Sequence, residues 1–516
     1  MRIPPTVVAA VCLASTVALS QTPGAPSQSK PGILWAEATS TTIGETGGWT
    51  NKVEIADINN DGLLDLLFAN GGDYSTPGKP EFNQAFLNRG SGKPFENRSA
   101  DVFGPTPGLT RVIKARDLNN DGLTDIVVGA TFQTQSRLYL GTGAGAFKEV
   151  TSANLPQSPA SIGDLEIGDV DADGDLDIVL ADWGAGNNMT NLGGRTKLWL
   201  NDGAAKFTDA TAAQMPDVLV RFSWDLEFVD TDNDYDLDVL VSCKRCPGGY
   251  MFRNDGKGTF AEVGALPQYT NNYEYEPMDL DGDGFLDIVT INDGEILKEQ
   301  SSNRQEHVFR NDGKGRYRDA TSLWWPASEN VGEDDNMVAF LDFDSDGDAD
   351  FVIGSLSGPD RLLINDGKGH LTVATDVFKG EETPGTLGIA LADLDGDRRM
   401  DVVQAQGEHP KAIQERVFMG TGLARDTAPP TIASIGGTVT GERHTVRARV
   451  HDRKSPLLPG ELKEVYVEAQ AGGKPLRVPM KWYGEYLWRA ELSAGATSVQ
   501  VCATDAAGNR ACADGK

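Results

Sequence analysis

Short apolar runs rich in Val and Ile recur along this chain, and each is interrupted by an acidic stretch before it reaches helical length. Leu165-Glu-Ile-Gly-Asp169 leads into one such stretch and Leu176-Asp-Ile-Val-Leu180 leaves it. A third run, such as Tyr250-Met-Phe-Arg253, ends at an Asn-Asp-Gly turn, and a fourth opens on an aromatic residue, as at Phe147, Phe207, Phe260 and Tyr317. Alternation punctuated by Asn-Gly and Asp-Gly predicts four antiparallel strands per repeat, joined as a meander. The fold class expected is all-β.

The acidic stretch between the first and second runs is a nonapeptide close to DxDxDGxxD, and seven copies begin at Asp57, Asp117, Asp169, Asp230, Asp279, Asp342 and Asp393. A near-constant period marks a repeat architecture. One four-stranded sheet cannot bury both faces, so seven copies are expected to pack radially as propeller blades. After Phe418-Met-Gly-Thr-Gly422 no fourth strand precedes the Pro-rich boundary at Asp426-Thr-Ala-Pro-Pro430, whereas Leu34-Trp-Ala-Glu-Ala-Thr39 matches Phe207-Thr-Asp-Ala-Thr211 and Tyr317-Arg-Asp-Ala-Thr321. Residues 33–39 are therefore expected to complete blade seven.

The nonapeptide supplies what a hard dication needs: carboxylates at positions one, three, five and nine, and a backbone carbonyl at position seven. The expected ligands are Asp57, Asn59, Asp61, Leu63 and Asp65 in the first loop and Asp117, Asn119, Asp121, Leu123 and Asp125 in the second. The third loop offers Asp169, Asp171, Asp173, Asp175 and Asp177, and the fourth Asp230, Asp232, Asp234, Asp236 and Asp238. The fifth offers Asp279, Asp281, Asp283, Phe285 and Asp287, the sixth Asp342, Asp344, Asp346, Asp348 and Asp350, and the seventh Asp393, Asp395, Asp397, Arg399 and Asp401. Up to seven Ca2+ ions are expected. Asn59 and Asn119 lower the ligand charge, and Tyr235 and Arg398 stand where Gly would ease the turn, so sites four and seven are expected to be distorted. The alternative, turn-capping aspartates without metal, leaves the carboxylates repelling one another. Flanking strands and the absence of Glu at position twelve argue against EF-hands.

These motifs, with the Asn-Asp-Gly-Lys-Gly turns at Asn254, Asn311 and Asn365, resemble the FG-GAP or VCBS repeat family, whose members are similar to the integrin α-chain propeller. The resemblance covers residues 33–422 and implies a seven-bladed β-propeller with calcium between first and second strands. The tail, including Ala503-Thr-Asp-Ala-Ala-Gly-Asn509, resembles bacterial immunoglobulin-like modules and implies a small β-sandwich. The domains expected are a signal peptide at 1–20, a flexible leader at 21–32, the propeller at 33–425 and the sandwich at 426–516.

Arg2 ahead of the apolar stretch Val7 to Leu19, with Ala18 and Ser20 before a cut near Gln21, reads as an export signal. The product is expected in the periplasm, at the cell surface or secreted; no further apolar run reaches membrane-spanning length. Cys243, Cys246, Cys502 and Cys512 form an even set suited to local disulfides, a redox motif or half a zinc site being the sharper alternatives for Cys243-Lys-Arg-Cys246. A net charge of −30 excludes nucleic acid, which demands clustered Lys and Arg.

The residues six before each motif, Asn51, Arg111, Gly163, Trp224, Tyr273, Asn336 and Leu387, are placed by the meander near the channel mouth opposite the acidic loops, beside the irregular insertions at 70–83, 182–195 and 292–306. A composite ligand site of Arg111, Trp224, Tyr273 and Asn336 is one reading; an aromatic plug is the other, and Trp183, Trp324 and Trp325 pose the same choice. The histidines His307, His370, His409, His444 and His451 are scattered and form no catalytic motif. The functional expectation is a binding or adhesion scaffold for an extracellular protein or glycan rather than an enzyme, with a propeller lectin or polysaccharide lyase as the alternative.

Overall fold

The computed structural model describes residues 31–515 except 74, 188–189, 293, 298–299, 303, 380–384, 409–413 and 459. The expected signal peptide, most of the leader, and His409 fall outside the described residues. The rest of the chain, Gly32–Lys516, is one compact unit, and it is all-β.

Each of the first six repeats forms a four-stranded antiparallel sheet in sequence order, and the seventh sheet has five strands, with Phe378–Lys379 parallel to Trp35–Glu37 at its edge. In the third repeat Ile162–Gly168, Asp177–Asp182, Lys197–Asn201 and Phe207–Asp209 pair in turn, with Leu165 opposite Leu180 and Ile178 opposite Trp199. The nonapeptide occupies the first connection, and its ninth residue opens the second strand. In the seventh sheet Thr386–Ala392, Asp401–Gln406 and Arg416–Met419 are joined by Trp35–Glu37, with Ala36 opposite Met419. Thr39 there accepts the Val417 N–H on Oγ1 at 3.0 Å, as Thr211 and Thr321 accept from Leu198 and Val308 in their own sheets.

The first strands of successive sheets lie side by side, and that of the seventh lies beside that of the first. The strands approach so closely at Gly163 that a Cβ there would overlap the Ser223 carbonyl oxygen. Apolar clusters fill the space between neighbouring sheets: Leu66, Phe68 and Phe86 with Val403 and Val417, and Leu67 and Leu87 with Ile113 and Val128. Burial of such side chains, roughly 1.5–3 kcal/mol each, is the principal stabilising term.

Among the described residues four short α-helices, Ser99–Phe103, Thr151–Asn154, Thr211–Gln214 and Thr321–Trp324, follow fourth strands and were not expected from the strand alternation. At each, the hydroxyl of the first helical residue accepts an N–H of the neighbouring third strand, as the Ser99 Oγ does from Ala85 at 3.0 Å.

The tail folds as two four-stranded sheets. Thr431–Thr440, Arg443–His451, Leu487–Ser493 and Lys481–Gly484 form one; Lys474–Pro479, Leu462–Ala471, Thr497–Asp505 and Arg510–Asp514 form the other. Val446, Ala448 and Val450 meet Val465, Val467 and Val501 in a shared core. Disulfides join Cys243 to Cys246 and Cys502 to Cys512. Among the described residues no helix is long and apolar enough to cross a membrane.

Candidate metal centre and the opposite face

Each acidic loop is shaped by its own backbone N–H groups. The position-six N–H donates to Oδ2 of the position-one aspartate in all seven copies, at 2.8–3.3 Å. The position-seven N–H donates to the position-five carboxylate, as from Leu63 to Asp61 at 2.9 Å and from Asp348 to Asp346 at 3.2 Å. This geometry requires a left-handed backbone at two positions. Position six has it at the glycines and equally at Tyr235 (φ 69°) and Arg398 (φ 68°), so loops four and seven keep the common shape despite their side chains. Such a conformation costs a non-glycine residue about 1 kcal/mol, which the surrounding N–H bonds offset. Position four has it too, at Asn60, Asn120, Ala172, Asn233 and Ser345, a demand that the sequence reading missed although Asn there is a signal for it.

Position nine differs from the others. Its carboxylate accepts the position-two N–H on one oxygen at 2.8–3.4 Å. The other oxygen accepts an N–H at the end of the third strand at 2.8–2.9 Å. Asp65, Asp125, Asp177, Asp238, Asp287, Asp350 and Asp401 thus pin the loop to its sheet. The turn asparagines add a bond between sheets: Nδ2 of Asn88, Asn201, Asn254, Asn311 and Asn365 donates to the position-two carbonyl of the preceding repeat's loop, at 2.8–2.9 Å. Asn88 reaches Leu394, linking the first repeat to the seventh.

The remaining oxygens converge. In loops three to six, ligand atoms of Asp169, Asp171 and Asp177, of Asp230, Asp232 and Asp234, of Asp279, Asp281 and Asp287, and of Asp342, Asp344 and Asp350 lie within 4.8 Å of one another. Asp169 Oδ1, Asp232 Oδ1, Asp281 Oδ1, Asp344 Oδ1 and Asp348 Oδ1 are buried and have no hydrogen-bond partner. Burial pushes the Asp177, Asp287 and Asp401 carboxyls up to about 8 against their N–H bonds, and neighbouring carboxylates add to the rise. Unpartnered buried carboxylate oxygens are costly, and a hard dication bound by oxygen alone fits them. In loops one and two Asn59 and Asn119 instead turn Nδ2 toward Asp61 and Asp121, at 3.2 and 3.1 Å.

On the opposite face, Arg111, Trp224 and Tyr273 come together, but buried. The Arg111 guanidinium lies 3.5 Å over the Trp224 ring and donates to Asn51 Oδ1, and Tyr273 meets the Trp224 ring edge-on at 5.7 Å. Trp183 stacks on Trp224 and Phe222 lies tilted against it at 5.4 Å, while Lys244, which sequence reasoning did not single out, sits 3.4 Å over Tyr273. Asn336 is engaged elsewhere, donating to the Leu387 carbonyl at 2.8 Å. Trp324 and Trp325 are buried in the core of the fourth to sixth repeats. All four candidate ligand residues are at most 3% exposed.

A set of charged side chains along the first strands was also missed. Lys52 Nζ reaches Asp164 at 2.9 Å and Asp225 at 3.5 Å, Arg116 pairs with Glu54 at 2.7 Å, and Lys114 pairs with Glu166. Burial holds Glu274 and Asp225 well above the usual carboxylate range. The signal was the charge at alternate positions, Lys52/Glu54, Lys114/Arg116, Asp164/Glu166, Asp225/Glu227 and Glu274/Glu276, which a strand directs to one side.

Four segments, residues 57–128, 117–180, 279–353 and 342–403, match the family model of the FG-GAP-like repeat. No curated protein matches the chain. Among solved structures, the chain is similar to the crystal structure of the V. cholerae biofilm matrix protein Bap1, with a TM-score of 0.35 and 15% identity over 94% of this chain and 76% of that one.

Proposed function

We propose that this chain is an exported, calcium-stabilised seven-bladed β-propeller, residues 33–425, carrying an immunoglobulin-like β-sandwich at 426–516 and serving as a binding or adhesion scaffold for an extracellular protein or glycan. The observation that carries the calcium assignment is the recurrence of one loop geometry with buried carboxylate oxygens that lack any donor. The cyclic adjacency of first strands, and the pairing of Trp35–Glu37 with the last repeat, support the ring. Positions one, three, five and nine and the position-seven carbonyl would hold the cation, which supplies charge neutralisation and rigidity to loops built from repelling groups. A closed ring with fixed loops presents the insertions on a rigid support, which suits recognition. Burial holds His307 at about 4 and His451 at about 3, so neither is poised as a base near neutrality.

Calorimetry after chelation tests the calcium assignment. Each site held at 100-fold over its dissociation constant should contribute about 2.7 kcal/mol; a thermal transition unchanged by demonstrated metal removal refutes it. Turnover of any polysaccharide to unsaturated uronides in a glycan screen would replace the scaffold reading with the enzymatic one.

A further inference from the structure

Three arginines of the tail reach the acidic loops. Arg489 Nη2 lies 2.5 Å from Asp169 Oδ2, Arg449 Nη2 lies 3.1 Å from Asp230 Oδ2, and Arg453 Nε lies 3.2 Å from Asp342 Oδ2. Each contacts Oδ2 of a position-one aspartate, in loops three, four and six. Those three loops share a further property: position seven is also an aspartate, Asp175, Asp236 and Asp348, whereas the other loops have Leu63, Leu123, Phe285 and Arg399 there. The tail's arginines therefore meet the loops that carry a fifth aspartate.

The contacts belong to a docked surface. The Asp169 N–H donates to the Tyr483 carbonyl at 2.8 Å, the Tyr483 hydroxyl donates to the Tyr235 carbonyl at 2.9 Å, and the Ser455 N–H donates to the Phe340 carbonyl at 3.2 Å. Arg449 also donates to the Asp230 and Gly284 carbonyls, at 3.1 and 3.0 Å. The arginines take Oδ2 and leave Oδ1: Asp169 Oδ1 is buried without a hydrogen-bond partner, and Asp230 Oδ1 and Asp342 Oδ1 accept the position-five N–H at 3.1 Å. An arginine does not fill the cation's place, but it puts a positive charge beside it and neutralises part of the loop's negative charge.

We propose that cation binding in loops three, four and six and docking of the C-terminal module oppose one another through Arg489, Arg449 and Arg453, so that the module's attachment responds to calcium. The inference rests on the calcium reading of the loops. Guanidinium and dication share one carboxylate and repel, so the docked arginine lowers the loop's affinity for the cation. By reciprocity a loaded loop loosens the arginine by the same factor.

Hydrogen-exchange mass spectrometry of the full chain against free calcium resolves each loop and the docked surface together. Arg489 is the most exposed of the three at 16% of its side chain, so Arg489→Gln is the substitution best tolerated by the fold. The expected result is about tenfold tighter calcium protection of the 169–177 loop in Arg489→Gln, with Arg489→Lys near the parent chain and the 57–65 loop unchanged. In the parent chain, loading should speed exchange of the Asp169 and Ser455 amides. Equal or weaker calcium binding in Arg489→Gln, or slower exchange at those two amides on loading, overturns the coupling while leaving calcium in the loops. No calcium protection of any loop overturns the coupling and the calcium reading together.

Discussion

Replacing Asn254 tests whether the repeats are held by side-chain amides as well as by apolar packing. Nδ2 of this buried residue donates to the Val170 carbonyl at 2.8 Å and the Leu237 carbonyl at 3.2 Å, and Oδ1 accepts the Gly256 and Gly258 N–H groups at 3.1 Å each. Asn254→Ala removes all four bonds. At about 1 kcal/mol net for each, and with water recovering part of the more exposed turn side, the loss should be about 3 kcal/mol. Asn254→Asp keeps the two accepted bonds but sets a second carboxylate oxygen against two carbonyls. At neutral pH it should therefore destabilise more than alanine, and below about pH 4, where the acid can donate one bond, less than alanine. Equilibrium urea unfolding followed by tryptophan fluorescence reads both. An aspartate variant as stable as the alanine variant at neutral pH would refute the donor role, and a loss below about 0.5 kcal/mol for alanine would refute the latch itself.

Gly163→Ala sets a methyl against the Ser223 carbonyl oxygen, so the two first strands must separate; a loss of about 1–3 kcal/mol in the same urea assay is expected, and a neutral substitution would refute the close approach. His451 is held by burial, and then by Arg453 and Arg449, at about 3 against its ordinary 6.5. A depressed histidine contributes stability that is full above pH 6.5 and is lost as pH falls toward 3, at up to about 1.4 kcal/mol per unit. The acid limb of the stability profile should be shallower in His451→Gln, measured from pH 7 to 4; identical slopes would refute it.

The order of the four strands within a repeat was legible because its signals are local, the nonapeptide and the turn dipeptides, and the pairing of Trp35–Glu37 with Arg416–Met419 answers to one matched strand sequence. The acidic loops were legible for the same reason, since each gathers its carboxylates within nine residues. What sequence did not reveal depends on apposition across long separations. Arg111, Trp224 and Tyr273 were placed at one mouth by their offset from the motif, but their depth is set by Trp183 and Lys244 from other segments. Arg449, Arg453 and Arg489 lie in and beside strands whose alternation says only that they face outward; that they face aspartates is a property of docking. The position-nine aspartates looked like the others because residue type does not show which carboxylate also anchors backbone N–H groups.

That distinction yields a prediction that separates fold from metal. In loop six, Asp344 Oδ1 is buried with no partner, whereas Asp350 accepts the Phe343 N–H at 3.3 Å and the Asn365 N–H at 2.8 Å. Asp344→Asn removes one charge from a repelling cluster whose burial, with Asp346 and Asp342, pushes its carboxyl up to about 6. The metal-free protein should be unchanged or slightly more stable, while calcium protection of the 342–350 loop weakens. Asp350→Asn must instead turn an amide N–H against a backbone N–H, which costs about 1–3 kcal/mol whether or not a cation is present. Unfolding of both variants in excess chelator decides it: equal destabilisation by the two substitutions would mean that position three, like position nine, serves the fold, and the division of labour within the nonapeptide would fall.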